Sequence, residues 1–328
     1  SFSFSLKNNL LLLGIAFMSG MLLFNLYKPF SIDKPTILQI GKGYGLNQII
    51  DTLNQKEFIT RPLILKAYVR LFNQNINIKA GEYLISKDEN FYRFIKKVNK
   101  GSVFYRQIRL KEGSTFREIL NLFAKYDSIK KDPHFSNLEE MKAQLNIEVD
   151  SLEGLFHPDT YNYIKGDSYI EILKRSNLKH QNILEELWKL RSLDLPYKNS
   201  YEALIMASII EREGIEKKEI AGVFVRRLKL GMKLQSDPTI IFALGNKFDG
   251  DIRRSDISMK HPYNTYHIHG LPPGPIGLVS KSSIEAAINP QDGTSLYFVS
   301  KGDGTHHFSD TLKEHNQAVK IYQLNNGS

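Results

Sequence analysis

Between Lys7 and Lys28 the chain runs for 20 residues without a charge, NNLLLLGIAFMSGMLLFNLY. A helix of about 20 apolar residues is what crosses the roughly 30 Å hydrocarbon core of a bilayer. Asn8, Asn9, Asn25 and Tyr27 suit its two interfaces. A cleaved leader is the competing reading. Against it, the run is long for a leader's apolar region, and no small-x-small cleavage site precedes Lys28 and Pro29. A retained single-pass anchor over residues 1–30 is therefore expected. No second stretch of this kind follows, so the rest of the chain is expected on one side of the membrane. Charge gives no orientation, because only Lys7 precedes the span.

The 328 residues are enough for two or three domains. With 44 Lys and Arg against 35 Asp and Glu, the formal charge is +9. Such a balance favours anionic polymers or surfaces. The basic residues are scattered and form no recognisable nucleic-acid module, so nucleic acid is not expected as a partner. The absence of cysteine excludes disulfides and thiolate metal sites.

Beyond a linker with two prolines, KPFSIDKPT, the chain reads as α+β. TILQIGKGYGLNQIIDTLNQKEFI suggests a strand, a Gly-rich turn and a helix with Ile49, Ile50 and Leu53 inward. RPLILKAYVRLF reads as a helix, IKAGEYLI as a strand, and NFYRFIKKVNKG as a helix stopped by Gly101. RQIRLKEGSTFREILNLF repeats the strand–turn–helix theme, with Lys111-Glu112-Gly113 in the place of Gly41-Lys42-Gly43. Neither turn has the spacing of a nucleotide loop. Residues 31–103 and 104–150 are expected as two small units, the second ending in a charged connection from residue 130. Residues 151–328 are expected as a larger α+β domain.

Polar, aromatic and glycine-rich clusters concentrate in that last segment. LEGLFHPDTYNY carries Glu153, Asp159 and Tyr161 in a turn-rich stretch, which suits a packed loop or a sugar-binding wall. In LQSDPT, Ser236 or Asp237 reads as a helix N-cap with Pro238 in the first turn. Gln235, Ser236 and Asp237 also bring three hydrogen-bonding side chains beside Arg226 or Arg227. HPYNTYHIHGLPPGPIG fixes its backbone with prolines and glycines, as a cleft wall for a polymer would. His267, His269, His306 and His307 invite a metal reading, but no His-Glu-x-x-His helix or completing carboxylate spacing accompanies them.

The helix ALIMASIIEREG poses the sharpest choice. Leu204, Ala207, Ser208 and Glu211 share a face, so Glu211 continues the apolar stripe. Glu213 lies about 200° further round and is expected in solvent. One reading is an ordinary solvated helix end. The other is an acid in an apolar socket, its pKa raised, held ready to donate a proton. This helix alone leaves both open.

Taken together and in order, these clusters resemble the YceG-like endolytic murein transglycosylases, the MltG family. The resemblance rests on Glu153-Gly154 with Pro158-Asp159-Thr160-Tyr161, on Ser208 through Glu213, and on Leu234 through Thr239. It continues in Tyr263-Asn264-Thr265-Tyr266, Gly270 through Ile276, Leu296 through Val299, and His306, Phe308, His315 and Asn316. It implies one inner-membrane helix, a LysM-like first domain and a catalytic domain in the periplasm or cell-wall space. It implies non-hydrolytic cleavage of the β-1,4 bond between N-acetylmuramic acid and N-acetylglucosamine, leaving a 1,6-anhydro end. Nascent glycan strands would be the substrate, peptidoglycan synthases (penicillin-binding proteins) the neighbours, and no cofactor is implied. It places the catalytic glutamate on Glu211, with Glu153 as second choice. Gln235, Ser236, Asp237, Thr239, Tyr263, Asn264, Tyr266 and His306, with Glu153, Asp159 and Tyr161, would line the sugar site. His157 departs from the family's aromatic residue and is expected to alter the sugar wall. Gly214 departs from a residue with a side chain and is expected to loosen the helix end. A non-catalytic wall-binding protein and a zinc amidase are the rival classes; the mass of the released products separates all three.

Overall fold

The computed structural model describes residues 2–72, 76–131 and 137–324; residues 132–136 of the expected charged connection lie outside them. The chain is mixed α+β and divides into two compact units, Ser1–Arg106 with Asn162–Gly166, and Gln107–Tyr161 with Asp167–Ser328.

The first unit begins with α1 (Phe2–Tyr27), which contains the one described helix long and apolar enough to cross a membrane, Asn8–Tyr27. Strand β1 (Thr36–Ile40), helices α2 (Leu46–Gln55) and α3 (Pro62–Phe72), strand β2 (Gly81–Ile85) and helix α4 (Phe91–Lys100) follow. β1 and β2 pair antiparallel, with Leu38 opposite Tyr83 and Thr36 opposite Ile85. Period-two alternation sends Leu38, Ile40, Tyr83 and Ile85 inward. They meet Ile49, Ile50 and Leu53 of α2, and Phe94 and Val98 of α4. Asn90 caps α4 by accepting from the Arg93 N–H, and Gly101 closes it at φ 73°.

The second unit holds most of β3 (Arg106–Arg109), then α5 (Phe116–Ala124), α6 (Leu138–Leu145) and β4 (Thr160–Tyr163), which pairs with β3. The boundary between units falls within β3 and β4. Gly43 and Gly113 both take left-handed φ, 79° and 70°, in the turns before α2 and α5, so the sequence repeat is also a repeat of turn geometry.

Next come α7 (Tyr169–Lys189), α8 (Ser200–Glu213), α9 (Lys217–Lys229), α10 (Asp237–Leu244), α11 (Arg254–Ile257) and α12 (Lys281–Ile288). A hairpin of β5 (Tyr297–Ser300) and β6 (His306–Ser309) and helix α13 (Leu312–Val319) complete the unit. α8 is its axis. Every residue from Ala203 to Ile210 is buried, surrounded by α7, α9, α10 and α12. A helix apolar on all sides has no solvent face, and this decides where its terminal acids go. The loop before α12 is locked by close backbone approach. A Cβ on Gly154, at φ 74°, would sit 2.4 Å from the Pro275 Cβ, and one on Gly277 would sit 2.6 Å from the Gly113 carbonyl oxygen.

Candidate functional site

Where α8 ends, the second unit opens into a cleft of about 710 Å³. Glu213, the last residue of α8, lies in it. The Ser236 hydroxyl donates to Glu213 Oε1. Desolvation raises the Glu213 pKa to about 7; the nearby Asp237 charge adds to this, while the Ser236 hydrogen bond and Arg227 oppose it. Ser236 occupies the N-cap position of α10, yet its side chain makes no cap hydrogen bond. A cap residue diverted to hold a carboxyl is a local rule broken at a chemical site.

One wall is built from the entry to α10. Gln235 lines the cleft from a left-handed backbone, φ 52°, rare for a residue with a side chain. Asp237 follows, and the Tyr266 hydroxyl donates to its Oδ1 at 2.7 Å. The opposite wall is the β5–β6 hairpin with α13. Tyr297 stacks on His315, ring centroids 5.3 Å apart, and Asn316 lies beside them. Arg227 ties the walls together. Its Nε donates to the Leu296 carbonyl at 2.6 Å, its Nη1 to the Leu234 carbonyl at 2.7 Å, and its guanidinium lies 5.1 Å from the Tyr297 ring centroid.

His306 is held by Glu216. Both its backbone N–H, at 2.7 Å, and its Nδ1, at 2.8 Å, reach Glu216 Oε2. A Cβ on Gly214 would lie 2.5 Å from the His306 Cε1. Gly214 therefore does not loosen the helix, which runs intact to Glu213; it makes room for the imidazole.

The model of the YceG-like family matches residues 38–321. The chain belongs to the YceG-like family. An endolytic murein transglycosylase of Bacillus subtilis (strain 168) is 31% identical over 334 residues, covering 95% of this chain and 91% of that one. An endolytic murein transglycosylase of Streptococcus pneumoniae serotype 2 (strain D39) is 28% identical, and the match spans 85% of this chain but 57% of that longer protein. The crystal structure of a yceG-like protein, lmo1499 of Listeria monocytogenes, superposes with a TM-score of 0.53 at 30% identity, covering 87% of this chain and 99% of that one.

In this YceG-like chain the two α8 acids reverse their expected environments. Glu211 is not in an apolar socket. Burial alone would raise its pKa, but hydrogen bonds from the Ser280 and Ser283 hydroxyls, the Ser280 N–H and Lys217 hold it below the usual carboxylate value. The Ser280 N–H donates at 2.9 Å, Ser283 Oγ at 2.7 Å and Lys217 Nζ at 3.0 Å. Glu211 thus binds the end of α8 to the start of α12. Glu213 is not in open solvent; it faces the cleft. The two side chains lie about 200° apart around the helix, but both directions point into protein.

Of the expected sugar-site residues, Gln235, Asp237, Tyr266 and His306 line the cleft, and Ser236 lies buried beneath it. The others do not line it. Glu153 accepts the Phe116 N–H on both carboxylate oxygens, 2.9 and 3.1 Å, at the start of α5. Burial raises its pKa to about 7, opposed chiefly by that backbone bond. Asp159 pairs with Lys179 at the surface. The Tyr161 hydroxyl donates to the His157 carbonyl at 2.8 Å. His157 is buried and outside the cleft lining, so it does not shape a sugar wall there. Thr239 is fully buried and hydrogen-bonds the Ser236 carbonyl and Thr265. Tyr263 packs on Phe242, centroids 4.8 Å apart.

Asn264 is fully buried, and its Nδ2 donates to the carbonyls of Asp256, Ile257 and Met259, at 3.2, 3.0 and 2.8 Å. Its Oδ1 accepts from the Tyr266 N–H at 3.0 Å. It organises the loop that presents Tyr266. Asn264→Ala leaves these groups unpaired and is expected to cost roughly 2–3 kcal/mol in denaturant unfolding.

Glu213 and Arg227 join the cleft although neither is among the site residues expected from the sequence. Arg227 had a readable signal: it shares a face with Ile220, Val223 and Phe224, all buried. A charge on a buried stripe marks a group with a specific partner.

Proposed function

We propose that the chain is an endolytic peptidoglycan transglycosylase with Glu213 as its single acid and base. The observation that carries this is a carboxyl held near pKa 7 in a cleft of a YceG-like chain, oriented by Ser236. In its protonated form, still well populated at neutral pH, Glu213 gives its proton to the glycosidic oxygen as the C1–O4 bond breaks. The carboxylate then takes the proton of the sugar's own C6 hydroxyl as O6 bonds to C1, closing the 1,6-anhydro ring. The nucleophile is tethered, so no second carboxyl is needed to activate water. The Asp237 carboxylate, held by the Tyr266 hydroxyl in the same cleft as Glu213, would supply the negative charge that stabilises an oxocarbenium-like C1. Gln235, His306 and Asn316 supply hydrogen bonds for sugar hydroxyl and acetamido groups.

We read α1 as a single-pass inner-membrane anchor with the remainder in the periplasm or cell-wall space, and penicillin-binding synthases as its neighbours. The LysM-like character of residues 31–103 belongs to the same reading; the paired strands β1 and β2 enclosing α2 and α3 give a unit of suitable size.

The test is mass spectrometry of products from purified glycan strands. Anhydro ends, one water lighter than hydrolytic ends, support the proposal; strands bound but never shortened would defeat it. The pH profile sharpens it. Because Glu213 must start protonated, the rate is expected to fall about tenfold per pH unit above about 7. An acid with the lowered pKa of Glu211 would instead lose activity from below the ordinary carboxylate range.

A further inference from the structure

The last two turns of α1 do not stand free of the folded chain. Met21, Leu22 and Asn25 are half-buried and Leu26 is buried, all on one face of the helix. Leu22 and Leu26 join the core of the first unit, and α1 packs on α3 and α4. These residues belong to the apolar span Asn8–Tyr27. Without them, residues 8–20 measure only about 20 Å along the axis, short of the hydrocarbon core. Lys7 bounds the other end, where a charge resists burial in lipid. If α1 spans, the elements packed on its last turns lie at the depth of the lipid head groups. Tyr27 and Tyr92, ring centroids 5.3 Å apart, sit where interfacial aromatic residues concentrate.

α3 carries two stripes. Leu65 and Val69 enter the core. On another side Leu63, Ala67 and Leu71 recur at i, i+4 and i+8, all exposed; exposed Phe72 follows about 100° further round, against Tyr68. Leu63 is 79% exposed, Leu71 72% and Phe72 65%. A run of large apolar side chains this exposed marks an interaction face. Arg70 borders the stripe beside Leu63, about 20° round the helix, and Arg61 immediately precedes the first turn, as basic residues border the apolar face of a helix lying in an interface.

We propose that α3 lies in the membrane–water interface, its Leu63–Ala67–Leu71 stripe against the phospholipid surface, so that the first unit is seated on the bilayer rather than tethered above it. This rests on reading α1 as the anchor. The chain has no cysteine, so single labels are unambiguous. The L63C, L71C and F17C variants of this chain, each carrying an environment-sensitive dye, are reconstituted into phosphatidylethanolamine–phosphatidylglycerol vesicles, with and without lipid bearing a doxyl quencher high on its acyl chain. L63C and L71C are expected to lose about half their emission with the quencher. F17C, within α1, is quenched by a doxyl group placed deep. If F17C is quenched and neither α3 label is, the proposal fails and the anchor stands. If F17C is not quenched, the anchor reading fails and the proposal falls with it. An emission shift at L71C that grows with protein density, without lipid quenching, assigns the stripe to a second copy of the chain and overturns the proposal.

Discussion

Glu213→Gln is expected to lower the release of anhydro-ended fragments by about 10²- to 10⁴-fold, the usual contribution of a positioned general acid. The amide keeps the shape of the side chain and can still accept the Ser236 hydroxyl bond, so the loss is chemical. Stability should move the other way. The folded pKa of Glu213 is raised to about 7 from 4.5. The folded state therefore binds this proton more tightly than the unfolded state, and stability is lost as pH rises from about 4.5 to about 7. Above that window the variant escapes a penalty on the order of 3 kcal/mol. A higher melting temperature at pH 8, with no gain at pH 4, would show that the acid is held against its ionisation. Normal release by the folded variant would end its role as the acid.

Glu211→Ala is expected to cost roughly 3 kcal/mol, because it leaves Lys217 and the Ser280 and Ser283 groups without their shared acceptor. For a unit of this size that lowers the melting temperature by roughly 6–12 °C. The pKa of Glu211 is depressed, so its contribution is present above the ordinary carboxylate pKa and lost as pH falls through its folded value. The gap between wild type and variant should therefore close in acid. Activity measured well below the melting temperature should persist, because the proton-donating group is untouched. Release lost at a temperature where the variant is fully folded would return the acid role to Glu211.

The two results together separate a residue that does chemistry from one that holds it in place, and they mark where sequence reasoning stopped. The apolar span, the inward faces of α2 and α4, and the turn glycines before α2 and α5 follow from local periodicity and backbone conformation, which neighbours in sequence decide. So does the start of α10 at Asp237-Pro238. The choice between Glu211 and Glu213 does not. Periodicity finds an inward face only when the other face meets water. α8 is enclosed on all sides from Ala203 to Ile210, so the angle between the acids was legible but not what each would meet. That depends on Ser280 and Ser283, some 70 residues later, and on Ser236. Asn264 shows the same limit. Its place in a dense polar motif suggests ligand contact, yet its partners are backbone groups: the carbonyls of Asp256 and Ile257 in α11 and of Met259 just beyond it, and the Tyr266 N–H. A motif reports that side chains are specified; it does not report whether a ligand or the backbone specifies them.

The cleft's two sides differ in mechanical origin. The side bearing Glu213 is continuous with the axial helix and its enclosing layer. The side bearing Tyr297 and His306 is a hairpin that, among the described residues, pairs with no third strand. An isolated hairpin is marginal in water, so its stiffness is borrowed from Arg227, from the Phe224–Phe298 contact and from α13. The proposed proton donor thus sits on the side built into the core, and Tyr297, His306 and Asn316 on the hairpin side. Hydrogen exchange should find the amides of β5 and β6 opening long before those of the buried α8.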